Sequence, residues 1–514
     1  MNPGRITPEP AVKLVKRFEG SYQNFLAAAR TCYSSKGIIE DGEIDDRWDS
    51  LARSLYKAGH HTTLQHAYFQ FAIDRVSRHF IWSFLHSHPY YNSEQVSQRY
   101  VEVKPGSAAV PPLQGEALEI YQSALEEQTA RYRSLCEKLA PLAESELGRR
   151  YPKRPLQAKK YRGAIKKKAQ EAARYVLPVA THAYLYHTIS GVTLLRYYRL
   201  CRMFDAPLEQ RIVAGKMVEQ LIAVEPKYKV ILEEPLEREA IPEWDFFETY
   251  HDSSYSRVFL DEFDESLEGN VSKLIGWPSN NESLLADSAR EVLGLPRAAL
   301  PDEDAVALAL DPGRNRLLGE SLNVTTLSKL SRCLYHPSYT FRKKLSHTAD
   351  SQDQRHRMTP ASRPILAGHL TGEPDYITPE LIQQDESVRR EYDEAMMRSW
   401  DAMNALRRLG VEEQFVQYLL PNAASIRFTE SADLLNLRHK HAMRLCYNAQ
   451  EEIWRASLDE AKQIRAVNPL IGKYLLPPCT LRLLAGQKPI CPEGERFCGE
   501  KVWTYDLDEY ERII

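Results

Sequence analysis

The sequence predicts an α+β (α/β) fold built twice in tandem, rich in helices and with a small, mainly antiparallel sheet in each copy. Three observations lead to this prediction. Apolar residues recur at helical spacing along most of the chain, strand signals are few and short, and segments of the first half return in the same order in the second. The two copies are predicted to span residues 1–265 and 266–514, the second with a cysteine-containing C-terminal tail.

Helical periodicity covers seven long segments. They are Asp45–Gly59, Ala117–Leu147, Lys167–Tyr186, Leu208–Val224, Pro379–Leu409, Val411–Tyr418 and Ser431–Ala461. The aromatic, roughly alternating run Ala67–Ile73 predicts a strand, and Tyr339–Phe341 predicts part of its counterpart. The polar and irregular stretch Asp261–Asn281 is expected to connect the two copies.

The internal repeat rests on three pairs of similar segments that occur in the same order in each half. The pairs are Ala173–Pro178 with Val416–Pro421, Leu194–Arg202 with Leu437–Leu445, and Gln65–Phe71 with Tyr335–Phe341. A tandem duplication of one unit of about half the chain accounts for this order.

Composition excludes several classes of protein. The net charge is −3, which argues against wholesale binding to nucleic acid or membranes. No apolar run approaches the roughly 20 residues of a membrane span, and the first residues lack the apolar stretch of a signal peptide. Eight cysteines in 514 residues fit a reducing cytoplasm, where we expect the protein to be located, better than a disulfide scaffold. The basic run Arg149–Lys168 is either a solvated insertion or a patch for a polyanion.

Two distant stretches resemble two parts of one active-site motif. Gln352–Arg357 reads Gln-Asp-Gln-Arg-His-Arg, and Val96–Tyr100 reads Val-Ser-Gln-Arg-Tyr. Flavin-dependent thymidylate synthases carry Gln-x-x-Arg-His-Arg and, closely after it, Ser-x-Arg-Tyr in a single run. Gly59–His66 is also similar to that family's Gly-His-x-Thr-x-x-x-His segment, and Ala28–Tyr33 to an earlier one. Both halves of the chain therefore resemble this family.

The resemblance implies a role for each matching residue. The residues expected to bind the substrate nucleotide are Gln352, Arg355, Gln95, Ser97, Arg99 and Arg174. The residues expected to bind the flavin are Thr62, Arg355, His356 and Arg357. Arginine forks suit a dianionic phosphate because they bind it through two charge-assisted hydrogen bonds. Arg444 is the expected catalytic residue, since it would stabilise negative charge on the pyrimidine, an effect typically worth ~3 kcal/mol per donor.

Plainer interpretations stay open for several of these residues. The basic run Arg355–Arg357 could be a solvated face. Arg444 and Arg174 both lie in basic helical segments and could be exposed helix charges. Thr62 could cap a helix.

The two halves have lost different parts of the family's pattern. In the first half His86–Pro89 stands where Arg-His-Arg belongs, the polarising Arg falls on Cys201, and the flavin-facing Asn falls on Ser190. In the second half the motif ending shrinks to Ala361–Pro364. The remaining second-half changes are Gln417 in place of Arg174 and Asp433 in place of the flavin-facing Asn. Since the losses are complementary, we expect one composite site made from both repeats.

The resemblance implies an FAD-dependent enzyme that transfers a methyl (one-carbon) group to dUMP or a related pyrimidine nucleotide. Methylenetetrahydrofolate and NADPH would be its co-substrates, and no cysteine nucleophile is required. Because the family assembles as a tetramer of single units, a homodimer of this fused chain is expected. Two alternatives stay open: a non-catalytic nucleotide- or flavin-binding descendant, and a flavoenzyme that acts on another pyrimidine.

Three cysteines near the C-terminus suggest a structural zinc site. Cys479, Cys491 and Cys498 fall within twenty residues, beside proline or glycine. Their spacing is not that of a Cys-x-x-Cys pair, and the candidates for a fourth ligand are His439, His441 and Cys446. Reduced structural cysteines are the alternative.

Overall fold

A computed structural model describes residues 5–87, 90–151, 159–249, 252–320, 327–512 and 514. Within the predicted sites, residues 88 and 89 and residues 152–158 of the basic run lie outside this description. No helix in the described ranges combines the length and the apolar character that a membrane crossing requires.

The chain forms two compact units, each assembled from three segments. Unit 1 contains Met1–Arg131, Val176–Asp252 and Ala395–Pro421, and unit 2 contains Tyr132–Tyr175, Ser253–Glu394 and Asn422–Ile514. Unit 1 therefore includes residues 395–421 of the second predicted repeat, and unit 2 includes residues 132–175 and 253–265 of the first. The boundaries 1–265 and 266–514 remain a prediction for the two sequence repeats. They do not coincide with the two compact units, which exchange segments.

Each unit holds one four-stranded antiparallel sheet, as the sequence predicts. The strands are β1 Ala11–Arg17, β2 Tyr68–Ser77, β3 Tyr91–Gln95, β4 His182–Ser190, β5 Ser272–Gly276, β6 Ser338–Ser346, β7 Ala361–Ser362 and β8 Ser425–Asp433. The order is β1-β2-β4-β3 in unit 1 and β5-β6-β8-β7 in unit 2. The two units therefore share one sheet topology, which supports the duplication.

Helices make up most of the remaining described chain. In the first half they are α1 Ser21–Thr31, α2 Asp49–Lys57, α3 Arg78–His86, α4 Gly115–Arg150, α5 Lys159–Ala173, α6 Gly191–Arg199, α7 Leu208–Val224, α8 Pro242–Thr249 and α9 Ser253–Ser266. In the second half they are α10 Asn281–Leu293, α11 Asp302–Leu310, α12 His347–Asp353, α13 Glu380–Gln383, α14 Glu386–Arg408, α15 Glu413–Val416, α16 Leu434–Arg444, α17 Glu451–Val467, α18 Pro469–Gly472 and α19 Pro478–Leu484.

The core of unit 1 lies between its sheet and helices α3, α6 and α7. Phe69, Phe71 and Ile73 of β2 point into this core and are at most 1% exposed, whereas Tyr68 is 48% exposed. This alternation has the period of two residues that defines a half-buried strand. It is the pattern that the sequence shows at Ala67–Ile73.

Strand pairing and helix caps define a residue-by-residue register, by which each position of unit 1 is matched to one of unit 2. The matched pairs are Phe71 with Phe341, Ser77 with Ser346, and Ser190 with Asp433. Phe71 pairs with His187, and Phe341 pairs with Glu430 at the same place in the other sheet. The members of the other two pairs are N-caps of α3 and α12, and of α6 and α16. Positions in one unit can therefore be assigned to positions in the other without reference to the motifs.

The helix predicted over Lys167–Tyr186 is wrong beyond Ala173. Helix α5 ends there, and β4 begins at His182. Alternate side chains of β4 are buried and exposed, with Leu185 at 3% and Tyr186 at 55%. The apolar and aromatic residues of this strand resemble a helical pattern in a short window, although their period is two.

Two other predicted segments also differ from the structure. Ser431–Ala461 is the end of β8 followed by helices α16 and α17, which are separated at Leu445–Gln450. Gln450 starts the second helix because its side chain caps the backbone N–H of Ile453. Asp261–Asn281 is not an irregular connection, since it contains the end of α9 and all of β5.

Candidate functional site

The predicted Gln-x-x-Arg-His-Arg segment lies at the end of α12 and in the turn that follows it. Helix α12 starts at the end of β6, where the hydroxyl of Ser346 accepts a hydrogen bond from the Ala349 N–H. Gln352 and His356 are half-buried, whereas Arg355 and Arg357 are exposed. The turn therefore presents two cations to solvent beside a more enclosed histidine.

Arg444, the last residue of α16, contacts this segment directly. Its Nε donates to His356 Nε2 at 2.8 Å, and one terminal nitrogen donates to the Gln352 carbonyl oxygen, also at 2.8 Å. The structure thus brings the predicted catalytic residue together with one predicted flavin contact and one predicted nucleotide contact. The interpretation of Arg444 as an exposed helix charge does not fit this geometry.

His356 is held in one protonation state by this contact. Burial and the neighbouring Arg444 guanidinium lower the pKa of His356 well below its ordinary value, so the ring is neutral near pH 7. A guanidinium can only donate, so Nε2 accepts and the ring proton is on Nδ1. His356 therefore presents an N–H donor on the side away from Arg444.

Arg174 lies in the same unit as these residues, although it belongs by sequence to the first repeat. Its side chain is 5% exposed, and its Nε donates to the Glu171 carbonyl oxygen at 3.3 Å. Its neighbour Tyr175 is joined to Gln352 through Gln450, whose side-chain oxygen accepts from the Gln352 amide at 3.4 Å and whose amide donates to the Tyr175 hydroxyl. Arg174 is therefore not an exposed helix charge.

A buried glutamate anchors this part of each unit. In unit 2 the Glu452 carboxylate accepts hydrogen bonds from the Ser346 and Tyr175 hydroxyls, and burial raises its pKa. In unit 1 Glu209 accepts hydrogen bonds from the hydroxyls of Ser77 and Tyr418, and burial raises its pKa as well. Because both units contain the arrangement, it belongs to the common fold. Only in unit 2 does it connect to Gln352.

Four predicted site residues lie in unit 1. Gln95 accepts from the Arg78 guanidinium at 2.6 Å, and the Ser97 hydroxyl accepts the Arg99 backbone N–H at 3.2 Å in a turn. The Arg99 guanidinium stacks 5.4 Å from the centre of the Tyr100 ring. Thr62 is exposed and precedes a short 3-10 turn without a side-chain capping bond, so the capping alternative is not supported.

At the matching positions that the structure describes, unit 1 has different residues from those that converge in unit 2. The register assigns Ser83, His86, Ser87 and Cys201 to the positions of Gln352, Arg355, His356 and Arg444. Cys201 is buried at 2% exposure, and burial raises its thiol pKa. The assignment of Cys201 agrees with the sequence alignment, and unit 1 keeps no cation at that position.

The shortened motif ending in unit 2 has a structural role in this protein. Ala361 and Ser362 form β7 and pair with β8. Arg363 then turns inward, donates to the Asp350 carboxylate at 2.9 Å and stacks 4.5 Å from the Phe428 ring centre. The sequence did not predict this use of Arg363.

The two residues at the predicted flavin-facing position cap helices instead. Asp433 accepts the Asn436 backbone N–H at 2.9 Å, and Ser190 accepts that of Thr193 at 3.4 Å. An Asp or Ser placed directly before an apolar helical run is the usual signal for such a cap. That signal is present in the sequence at both places.

The predicted zinc site is not supported. Among the described residues no three His, Cys, Asp or Glu are arranged to hold a metal ion. Cys446, Cys479, Cys491 and Cys498 line one small cavity of unit 2, and burial raises the pKa of Cys446 to about 12 and that of Cys479 to about 11. Burial therefore favours the thiol form of Cys446 and Cys479 in the metal-free protein. Of the other proposed ligands, His441 is bound to Glu460 at 2.8 Å.

Comparison with known proteins follows the same division of the chain. Residues 13–227 and 297–470 match the family model described as thymidylate synthase complementing protein. A flavin-dependent thymidylate synthase from Geobacter sulfurreducens is 30% identical over 171 residues, which cover 32% of this chain and 70% of that protein. One from Clostridium tetani is 27% identical over 220 residues, which cover 42% of this chain and 83% of that protein. One from Mycobacterium sp. (strain JLS) is 29% identical over 225 residues, covering 43% and 84%.

A solved structure, the UMP/dUMP methylase PolB from Streptomyces cacaoi bound with 5-Br dUMP, also matches. It is 19% identical and covers 43% of this chain and 94% of its own, with a TM-score of 0.28. A likeness at that score carries no argument about fold or activity. The family model, in contrast, matches well over half of the 514 residues and does so in two segments. The chain therefore belongs to the thymidylate synthase complementing protein family, and the relatives named above are flavin-dependent thymidylate synthases.

Proposed function

We propose that the protein catalyses flavin-dependent methyl transfer to dUMP or a closely related pyrimidine nucleotide, with its active centre in unit 2. One observation carries the proposal above all others. Arg444, His356 and Gln352 are joined by hydrogen bonds in unit 2, whereas Cys201 stands at the position of Arg444 in unit 1. The family membership supports the reaction class, and this contrast supports the location in unit 2.

Arg444 would act on the pyrimidine ring. Its guanidinium is held from two sides, by His356 Nε2 and by the Gln352 carbonyl oxygen, so it does not have to be ordered during the reaction. A preorganised cation stabilises negative charge that develops on a ring carbonyl, and typically contributes ~3 kcal/mol. Gln352, whose carbonyl oxygen contacts Arg444, and Arg355, which precedes His356 in the chain, would contact the sugar or the phosphate.

The exposed pair Arg355 and Arg357 fits an FAD cofactor. Two guanidinium groups on one turn suit a diphosphate because each can form a bidentate charge-assisted contact. The neutral His356 between them offers an N–H donor rather than a third charge. When bound, reduced FAD would supply the hydride that completes the methyl group, with methylenetetrahydrofolate as carbon donor and NADPH as reductant.

Residues from both repeats contribute to unit 2 in this proposal. Arg174 comes from the first repeat and lies in the same compact unit as Gln352 and Arg444. Its assignment to the nucleotide phosphate rests on the motif. Gln95, Ser97, Arg99 and Thr62 belong to unit 1, so their assignments to the nucleotide and to the flavin rest on the motif alone. A homodimer and a cytoplasmic location accompany the proposal as expectations from the family.

The experiment is reconstitution with the purified full-length chain. We expect a yellow protein whose flavin spectrum responds to dUMP and which forms dTMP, detected by mass spectrometry, when methylenetetrahydrofolate and NADPH are added. Arg444→Ala should abolish product formation, and Cys201→Ala, the matched change in unit 1, should leave it intact. Flavin and nucleotide binding without turnover would support the non-catalytic alternative. Turnover of another pyrimidine nucleotide, and not of dUMP, would support the alternative of a flavoenzyme with a different substrate. Binding of neither ligand would refute the proposal.

A further inference from the structure

Unit 2 contains a group of ionisable side chains that are almost completely buried. This buried ionic cluster consists of Lys343, Asp353, Glu430, Lys440, His441 and Glu460, each at most 1% exposed. Its members come from β6, α12, β8, α16 and α17. Charges removed from water in this way are costly unless each one is paired and hydrogen-bonded.

The pairing inside the cluster is extensive. Lys343 Nζ lies 2.8 Å from Glu430 Oε1, 2.7 Å from Glu460 Oε1 and 3.4 Å from Asp353 Oδ2. Lys440 Nζ lies 2.7 Å from Asp353 Oδ1 and also bonds to Glu430. Each carboxylate is therefore within reach of at least one ammonium group.

The fold itself does not require these charges, because unit 1 builds the same positions without them. Both sheets have the same strand order, and the matching helices start from equivalent caps. The unit 1 residues at the positions of Lys343, Asp353, Glu430, Lys440 and Glu460 are Ile73, Phe84, His187, Tyr197 and Met217. Phe84 packs on Tyr197 with ring centres 4.3 Å apart, and His187 lies 5.1 Å from Phe84.

Two features connect the cluster to the proposed active centre. Asp353 directly follows Gln352, and Lys440 precedes Arg444 by four residues, which places both on one face of α16. The Lys440–Asp353 pair therefore joins α16 to α12. Arg444 joins the same two helices one helical turn further along α16, through the Gln352 carbonyl oxygen. The charged set is present in the unit that keeps Arg444 and is replaced in the unit that has lost it.

We propose that the buried ionic cluster is a positioning device for the active centre, in which Lys440 and Asp353 hold α16 against α12 so that Arg444 meets His356 and Gln352. This inference rests on the proposed function of unit 2. Lys440 and Asp353 are positioning residues, because they act through Arg444 and Gln352. An apolar filling would support the same fold, as in unit 1, but it would lack the ion pair that draws the two elements together.

The test transplants the filling of unit 1 into unit 2 by combining K343I, D353F, E430H, K440Y and E460M. We expect a folded protein in which the His356 ring-nitrogen NMR shifts no longer report the hydrogen bond from Arg444. We also expect kcat/KM for dUMP to fall about a hundredfold, since small displacements of a positioned group have effects of that size. Phe84→Leu, in the matching cluster of unit 1, is the control and should lower the melting temperature without changing either readout.

A folded transplant variant with wild-type His356 shifts and wild-type kcat/KM would overturn the proposal. If the transplant does not fold, Asp353→Asn decides with the same two readouts, because it keeps the size of the side chain and removes its charge. Lys440→Arg, which keeps the charge, should preserve more of the His356 signal than Asp353→Asn does, and equal loss in both would contradict a pairing role. Arg444→Ala separates failure of the proposed function from failure of the positioning role. Unchanged turnover in that variant would refute the active centre in unit 2 but not the positioning of α16 on α12.

Discussion

Arg444 Nε donates to His356 Nε2 across 2.8 Å, which joins the residue expected to polarise the nucleotide to a residue expected to contact the flavin. The contact orients both side chains. It places a cation next to a neutral imidazole and leaves the histidine proton on Nδ1. One hydrogen bond thereby links the residue proposed for the nucleotide to a residue proposed for the flavin.

The pKa of His356 should depend on Arg444. In Arg444→Ala the neighbouring charge is removed, so the pKa of His356 should rise toward its ordinary value but remain lowered by burial. NMR titration of the imidazole nitrogens measures this change. The matched change Cys201→Ala should leave the titration unaltered. A His356 titration that is identical in wild type and Arg444→Ala would show that the contact is absent in solution.

The two buried tyrosines should differ in function although they are equivalent in structure. Tyr175→Phe and Tyr418→Phe each remove one donor to a buried glutamate, so each should lower the free energy of unfolding by about 1–3 kcal/mol. Only Tyr175 continues through Gln450 to Gln352, so only Tyr175→Phe should raise the KM for dUMP, by about tenfold. Urea unfolding and steady-state kinetics on the pair test this. Equal effects on KM would contradict the connection.

Acid should destabilise the protein partly through His187. Burial lowers the pKa of His187 to about 3 in the folded state, so the unfolded chain takes up this proton from about pH 6.5 downward and the folded chain does not. Stability is therefore lost as the pH falls through that window, by about 2 kcal/mol at pH 5 for this one group.

His187→Phe removes this contribution and fits between Phe84 and Tyr197, which already contact the ring. The difference in unfolding free energy between pH 7.5 and pH 5 should be smaller in the variant than in the wild type. Carboxyls with a raised pKa, such as Asp459 at about 6, act in the opposite sense but are common to both proteins and cancel in the comparison. Equal acid sensitivity in the two would refute the assignment.

Thiol reactivity should follow burial. All eight cysteines lie in the described residues, and Cys32 is the one with an exposed side chain. At pH 8 the native protein should show one fast-reacting thiol with a disulfide reagent, and Cys32→Ser should remove it. Cys446 and Cys479 should react only after unfolding, since burial raises the pKa of each to about 11 or 12. A chelator that speeds the slow phase would show that these thiols hold a metal after all.

The sequence predicted the duplicated architecture because three pairs of similar segments recur in the same order in both halves. The motif named Gln352, His356 and Arg444 as site residues, but the direct contacts among them were not predicted from the sequence. The sequence did not predict the exchange of Tyr132–Tyr175 and Ala395–Pro421 between units, because a helix has the same local pattern wherever it packs. Strand β4 was missed because its aromatic residues resemble a helical face in a short window.

The buried ionic cluster was missed for a different reason. Charged residues in a sequence are normally assigned to solvent, and Lys343 or Glu430 alone gives no sign of burial. The repeat contained the missing signal. Aligned with Ile73 and Phe84, which are typical core residues, Lys343 and Asp353 stand at core positions and therefore predict a buried network.

Calorimetric titration of the full chain with dUMP tests the central claim most directly, namely that one active centre is kept and that unit 2 supplies it. The account predicts one nucleotide per chain in the wild type and in Cys201→Ala, and an affinity at least about tenfold weaker in Arg444→Ala, as expected for the loss of one charged contact. Two nucleotides per chain, or unchanged affinity in Arg444→Ala, would contradict it.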